Sequence, residues 1–437
     1  MSRKVFISVL GTGNYAECKY EINGTVSKPV RFIQEALVEH ICKEWTVEDR
    51  IFIFCTSRET TGENGSKEIN WKDNEKEGLE YRLKGLNLKT PICQYDINAG
   101  FSEEEIWNIF NTVYSNLLPN DEIYFDVTHA FRSIPLFSIV LFNYSKFMLE
   151  TQLKSIHYGA FEKLGNLKKV MEMPIEKRIA PVIDLSNIAR LQEYNQIASG
   201  LKNFGKAKPL KDALSAQKTS SDEAMAELCK SISNLDEYIA TIDIPNIKKG
   251  NFIRAFRNNF KCIKKKAGIV GPIKRILEEL YDETADFVDK DSYRNIEAAI
   301  NWTIKHDMLM QTYALAEEYI ILYVSDRFRD IKPPKLRNKD FRMFVSSILG
   351  MEDKDFQNRD EWKGNLDIYK DVANKIADDL MVLELRPMYS PIRSARNSLA
   401  HGNGNITYQE LKKSIPCIKE CIEFLNNRFE KDSSNYL

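Results

Sequence analysis

The stretch RSARNSLAHGN (393–403) brings an arginine, an amide and one of five histidines into a single short run, Arg396-Asn397-Ser398-Leu399-Ala400-His401. These are groups that metal-free RNA cleavage can use. The 2′-OH attacks the adjacent phosphorus, an arginine neutralises the charge of the transition state, and an imidazole moves the proton. Asn397 can orient groups through its amide. Residues five apart lie about 140° apart around a regular helix, so Arg396 and His401 would not share a face if the helix simply continued. Gly402 and Gly404 predict that it stops at the histidine and frees it to turn. The negative end of the helix dipole favours the protonated imidazole, which suits proton transfer near neutral pH. One histidine is awkward where both an acid and a base are wanted, and a dimer setting two such motifs across one cleft would supply both. A bland reading uses the same residues: His401 caps the helix and the arginines are solvated. The residues alone leave both open.

A second concentration of polar groups is DVTHAFRSIP (126–135), between the β-rich run EIYF and a helical pattern with Pro135 near its start. Asp126, Thr128 and His129 could meet bases or ribose, Arg132 a phosphate, and Ser133 could cap the helix. Alternatively, Asp126 and Thr128 satisfy backbone groups at the strand end. Thr56, Ser57 and Arg58 follow another apolar run on the same edge. After the first apolar run comes GTGNYA, with Gly11, Thr12, Gly13 and Asn14, formally a GxGxxA match ending at Ala16. A dinucleotide site needs a helix to begin there, whereas CKYEINGT (18–25) alternates and turns like a hairpin. That disfavours a nicotinamide enzyme. A turn whose N–H groups face a phosphate and an ordinary tight turn both remain.

The elements that must position these groups are legible as patterns. VFISVL (5–10), RIFIFC (50–55), TPICQYDI (90–97), EIYFDV (122–127) and LKSIHYGAF (153–161) read as strands, with helical periodicity over 30–45, 67–85, 102–118 and 134–150. Such alternation predicts a mostly parallel sheet covered on both faces. In open sheets of this kind, ligands bind beyond the carboxyl ends of the strands. PVIDLS (181–186) reads as a last strand or a linker, and beyond Asp184 the chain reads as all helix. Within it, Arg254 and Arg257 read as exposed basic residues that could touch RNA.

The 437 residues call for two or three domains. With 43% hydrophobic and 29% charged residues, the composition is that of a globular protein. No apolar run reaches membrane-spanning length. The N-terminus reads as a buried strand rather than a signal peptide, so a cytoplasmic location without a membrane partner is expected. A formal net charge of −1 gives no global pull toward nucleic acid. The eight cysteines lack CxxC spacing and read as buried reduced thiols, with no metal expected.

The R-x4-H pattern, with Asn397 beside the arginine, resembles the motif of HEPN ribonucleases. DVTHA (126–130) resembles the DxTHG motif of CRISPR-associated proteins of type III systems, which join a Rossmann-like CARF sensor to a helical HEPN nuclease. NWTIKHDMLMQTYALAEEYI (301–320) resembles the helix that commonly opens HEPN domains in this group. The resemblance implies an α/β plus all-α fold: a CARF domain over 1–183, a helical connector over 184–290 and a HEPN ribonuclease domain over 291–437. It further implies that cyclic oligoadenylate, a tetra- or hexaadenylate ring, binds across a homodimer or higher homo-oligomer. The HEPN dimer would then cut single-stranded RNA without metal or cofactor, leaving a 2′,3′-cyclic phosphate. By position, Arg396, Asn397 and His401 match the catalytic motif. Asp126, Thr128 and His129 match the DxTHG loop, and Gly11 to Asn14 the first-strand loop facing the ligand. Ala130 stands where the motif has glycine. Two alternatives remain at this point: a nucleotide-responsive regulator without nuclease activity, and a sensor that degrades its own ring through Thr128 and His129.

Overall fold

A computed structural model of the chain describes residues 2–73, 77–129, 133–215, 223–264, 271–402 and 406–434. The chain divides into two compact units, Met1–Glu193 and Tyr194–Leu437. The dividing point falls inside the helix Ser186–Phe204.

The first unit holds an eight-stranded sheet: β1 Lys4–Leu10, β2 Lys19–Ile22, β3 Thr25–Val26, β4 Arg50–Thr56, β5 Ile92–Ile97, β6 Glu122–Asp126, β7 Gln152–Gly159 and β8 Ile179–Asp184. Their order is β3-β2-β8-β7-β6-β1-β4-β5. All pairs are parallel except β7 with β8 and β2 with β3. β1 alternates cleanly between two cores. Phe6 and Leu10 pack with Ile33, Leu37, Ile51 and Ile53 on one face, while Val5, Ile7 and Val9 pack with Phe54, Ile109, Phe125 and Phe142 on the other. A strand apolar on both sides belongs in the covered centre of a parallel sheet. Burying each such side chain contributes about 1.5–3 kcal/mol.

Several expectations hold. The hairpin after the first loop is β2–β3, turning at Asn23 and Gly24 with φ of 50° and 81°, the two positive values that a tight type I′ turn requires. No helix follows GTGNYA. PVIDLS falls largely within β8, an antiparallel neighbour of β7, so it is a strand and not a linker. The helix expected over 67–85 is corrected: a π-helical turn, Lys67–Trp71, and a short helix, Leu79–Lys84, are separate elements. At Gly78 a Cβ would lie 2.3 Å from the Trp71 carbonyl oxygen, an approach that only glycine permits.

The second unit has one continuous core running from Tyr194 to Leu425, shared by helices on both sides of residue 290. Its hub is the helix Leu309–Arg327, buried over most of its circumference. The hub packs against Arg294–Lys305, Asn338–Leu349, Leu380–His401 and Tyr408–Ser434. The Tyr313 hydroxyl, deep in the hub, donates to the Leu411 carbonyl at 2.8 Å. Among the described residues no helix is long and apolar enough to cross a membrane.

Candidate functional site

In the first unit β1 lies between β4 and β6. After the β2–β3 hairpin at the far edge, the chain forms β4 beside β1 and β5 outside it, then returns to the other side of β1 as β6. The crevice at such a reversal, beyond the carboxyl ends of the strands, is where open α/β sheets bind ligands. The loops after Leu10 and Asp126 flank it.

Register places Ser8 directly opposite Asp126, and the Ser8 hydroxyl donates to Asp126 Oδ2 at 2.7 Å. Ser8 in turn accepts from Gln34 Nε2 at 3.1 Å. Asp126 Oδ1 accepts from the Thr128 backbone N–H at 3.0 Å and from its hydroxyl at 2.6 Å. Thr128 Oγ1 itself accepts from Gly159 N at 2.9 Å, tying the loop to the end of β7. Asp126 is fully buried, and that burial holds its carboxyl above the usual carboxylate range. Asp126 and Thr128 therefore shape the loop from inside, as an Asp two residues ahead of an N–H commonly does.

The first loop is held in a similar way. Buried Asn70, on the π-helical turn, donates to the carbonyls of Gly11 and Gly13 at 2.8 and 3.1 Å. Gly11 sits so close to the second loop that a Cβ would lie 2.9 Å from the His129 carbonyl oxygen. Thr12, Gly13 and Asn14 are exposed. At the end of β4, Thr56 and Ser57 are buried. The Thr56 N–H donates to Ser66 Oγ and the Ser66 N–H to Thr56 Oγ1, both at 3.0 Å. Arg58 is exposed, with its backbone N–H on Glu68. His129 is half-buried, and burial lowers its pKa to about 4, so the ring is neutral near pH 7. Ser133 opens the helix Ser133–Met148. Arg132 and Ala130 lie outside the described residues.

Of the predicted residues, Gly11, Asp126, Thr128 and His129 are thus brought together at one crevice. Asp126, Thr56 and Ser57 face the interior, while Thr12, Gly13, Asn14 and Arg58 reach solvent. Sequence reasoning missed Ser8, Gln34, Ser66 and Asn70. A buried polar residue inside an apolar strand, as at Ser8, was the one available signal.

In the second unit the helix Leu380–His401 starts on Asp379, whose Oδ1 accepts from Met381 N at 2.9 Å. It ends where expected: Gly402 adopts the left-handed conformation, φ 61°. Arg396 Nη1 donates to Asn397 Oδ1 at 2.8 Å. Arg396 Nε donates to the carboxylate of Glu317, on the hub helix. Glu317 is buried, and its other oxygen accepts from the Tyr389 hydroxyl at 3.2 Å. Burial and then the neighbouring Glu317 charge push the Tyr389 phenol up. Arg396 keeps about a third of its side chain exposed (34%). His401 is exposed in the last turn. The structure therefore joins Arg396 to Asn397 and leaves His401 free of both. Glu317 was not anticipated, although it lies within the 301–320 run.

Of three further basic residues, one stays exposed as expected and two are engaged by backbone carbonyls. Arg257 is not a free surface cation: its Nη2 donates to the carbonyls of Thr284, Ala285 and Phe287 at 3.0, 3.3 and 2.9 Å, closing the turn after the helix Gly271–Glu283. Arg254 is exposed, with Nε on the Asp289 carbonyl at 2.7 Å. Arg393 lies against Gly350 and donates to the Ser346 carbonyl at 3.4 Å. All eight cysteines are free thiols, and Cys262 is exposed rather than buried. Among the described residues no cluster of three or more His, Cys, Asp or Glu could hold a metal.

Over 202 residues, 46% of this chain, the sequence is 27% identical to the CRISPR-associated protein MJ1674 of Methanocaldococcus jannaschii, and the match spans 28% of that relative's length. No protein-family model matches the sequence.

Proposed function

We propose that the chain is a cytoplasmic, cyclic-oligoadenylate-activated endoribonuclease of CRISPR antiviral defence, with a CARF-type sensor over 1–183, a connector over 184–290 and a HEPN-type nuclease over 291–437. The observation that carries the reading is the end of the helix Leu380–His401. Arg396 and Asn397 are hydrogen-bonded to each other there, and the helix stops on left-handed Gly402 at an exposed histidine. Similarity to a CRISPR-associated protein supports the setting. In this reaction the 2′-OH of single-stranded RNA attacks the neighbouring phosphorus. Arg396 stabilises the charge that builds on the phosphoryl oxygens, and His401 moves a proton, leaving a 2′,3′-cyclic phosphate and a 5′-OH. No metal or cofactor enters.

A single motif offers one histidine, so a homodimer or higher homo-oligomer supplies the second proton carrier. The helix Ser133–Met148 presents exposed Val140, Tyr144 and Phe147 along one face, and its lone charge, Lys146, is already paired with Glu193. An uncharged seam of this kind is complementary to its own copy. The ring binds at the sensor crevice, tetra- or hexaadenylate, and activates by favouring the cutting arrangement over the resting one. A second reading, a nucleotide-responsive regulator that signals to a protein partner without cutting RNA, is favoured by one observation. Buried Glu317 claims Arg396, as it would if the arginine were structural.

The test is cleavage of a fluorescent single-stranded RNA in EDTA, with and without each ring, beside His401→Ala. Ring-dependent cleavage lost in the variant supports the nuclease. Ring binding without cleavage supports the regulator, and cleavage surviving in His401→Ala puts the chemistry elsewhere.

A further inference from the structure

Tyr15 lies in the first loop, between the glycine turn and the hairpin. Its ring packs edge-on against fully buried Phe32, with centroids 5.3 Å apart, and tilted against His129, with centroids 4.3 Å apart. Its hydroxyl lies against Gly11, where an added Cβ would sit 2.9 Å from it. The ring is thus packed in place before any ligand arrives. Phe32, Tyr15 and His129 form an aromatic ladder that climbs from the core to the loop after β6, across the β1–β6 crevice. Its two outer members are half-buried and reach solvent.

His129 adds a chemical preference. Among the described residues no group hydrogen-bonds its ring nitrogens, so a neutral imidazole keeps one donor and one acceptor unspent. An uncharged π surface with a free donor–acceptor edge is poorly suited to a phosphate and well suited to a heteroaromatic base. A preordered platform also loses little freedom on binding. The exposed Thr12, Gly13 and Asn14 beside it offer hydroxyl, N–H and amide groups to the sugar and phosphate that accompany a base.

We propose that Tyr15 and His129 form a base-stacking subsite, on which one purine of the bound nucleotide lies while its edge meets the His129 imidazole. The inference rests on the nucleotide-sensing reading and adds Tyr15 as a stacking residue beside the His129 edge that reads the base.

The test is calorimetric binding of cyclic tetraadenylate and cyclic hexaadenylate to the full-length protein and to Tyr15→Phe, Tyr15→Leu, His129→Phe and His129→Ala. Tyr15→Phe and His129→Phe keep a ring and should bind within a few-fold of wild type. Tyr15→Leu and His129→Ala remove one and should weaken binding about 5- to 150-fold, the range that base–aromatic stacking contributes. Where Tyr15→Leu melts well below wild type, the His129 pair carries the same comparison. Wild-type affinity in Tyr15→Leu and His129→Ala overturns the stacking subsite and leaves nucleotide sensing standing. Equal losses in the ring-keeping and ring-removing variants also overturn it, since the hydroxyl or edge would then be what matters. A wild-type protein that binds neither ring overturns both.

Discussion

Arg396→Ala should destabilise the helical unit as well as stop cleavage, and the size of that effect follows from what the arginine leaves behind. Its partner Glu317 has a side chain 2% exposed and would retain a single hydrogen bond, from Tyr389. Removing one member of a buried ion pair costs about 3–5 kcal/mol; the guanidinium end is a third open to water, which places this case near 3 kcal/mol. For a unit of this size that is a fall in Tm of about 6–12 °C. Adding Glu317→Gln removes the stranded charge and keeps an acceptor for Tyr389, so the double variant should recover more than half the loss. The assay is urea unfolding of the four proteins: wild type, the two single variants and the double. The reasoning fails if Arg396→Ala is as stable as wild type, or if adding Glu317→Gln deepens the loss.

Other consequences are simpler. His401→Ala should abolish ring-dependent RNA cleavage while shifting stability by less than about 0.5 kcal/mol, because the side chain is exposed and away from the core; thermal melting beside the cleavage assay checks both. Gly402→Ala places a Cβ at φ 61° and should cost about 1–2 kcal/mol by urea unfolding. Gly11→Ala would drive a Cβ to 2.9 Å from the His129 carbonyl oxygen, so ring binding measured by calorimetry should fall at least tenfold (about 1.4 kcal/mol). For Asp126, the stability tied to its raised carboxyl is full below the unfolded value of about 3.9 and is lost as the pH rises toward the folded one. Asp126→Asn should therefore flatten the stability–pH curve over that window, and an unchanged slope in urea titrations would falsify the assignment.

What could be read in the sequence was local. The end of the helix at His401 follows from Gly402 next door, and the hairpin follows from Asn23-Gly24 between alternating residues, each signal lying within a turn of the structure it determines. What could not be read was who faces whom. Nothing near Asp126 says that Ser8 lies opposite it, since that depends on β6 returning beside β1 after two strands on the other side. Arg257 has the appearance of any surface cation until the chain brings the carbonyls of Thr284 and Phe287 to its guanidinium. Arg396 finds Glu317 only because both helices share the core of the second unit. The break between Trp71 and Leu79 was missed for a related reason: the close approach at Gly78 is a tertiary constraint, and helical periodicity on either side hid it.

The two candidate sites divide labour alike. In the crevice, Asp126, Thr56, Ser57 and Asn70 are buried and fully occupied with holding loops, and their loss would act through geometry. In the helical unit, Glu317 and Tyr389 do the same for Arg396. The motif positions that stand out most in the sequence, Asp126, Thr128 and Arg396, are the ones with internal partners. A buried Asp with three hydrogen bonds can set the path of a loop for many ligands, but it cannot tell one base from another. Discrimination has to come from groups that, among the described residues, still have unspent donors or acceptors: His129, Thr12 and Asn14 in the first unit, His401 in the second. Substitutions at the first set should therefore change stability and affinity together, whereas substitutions at the second should change what is bound or cut while the fold stays put.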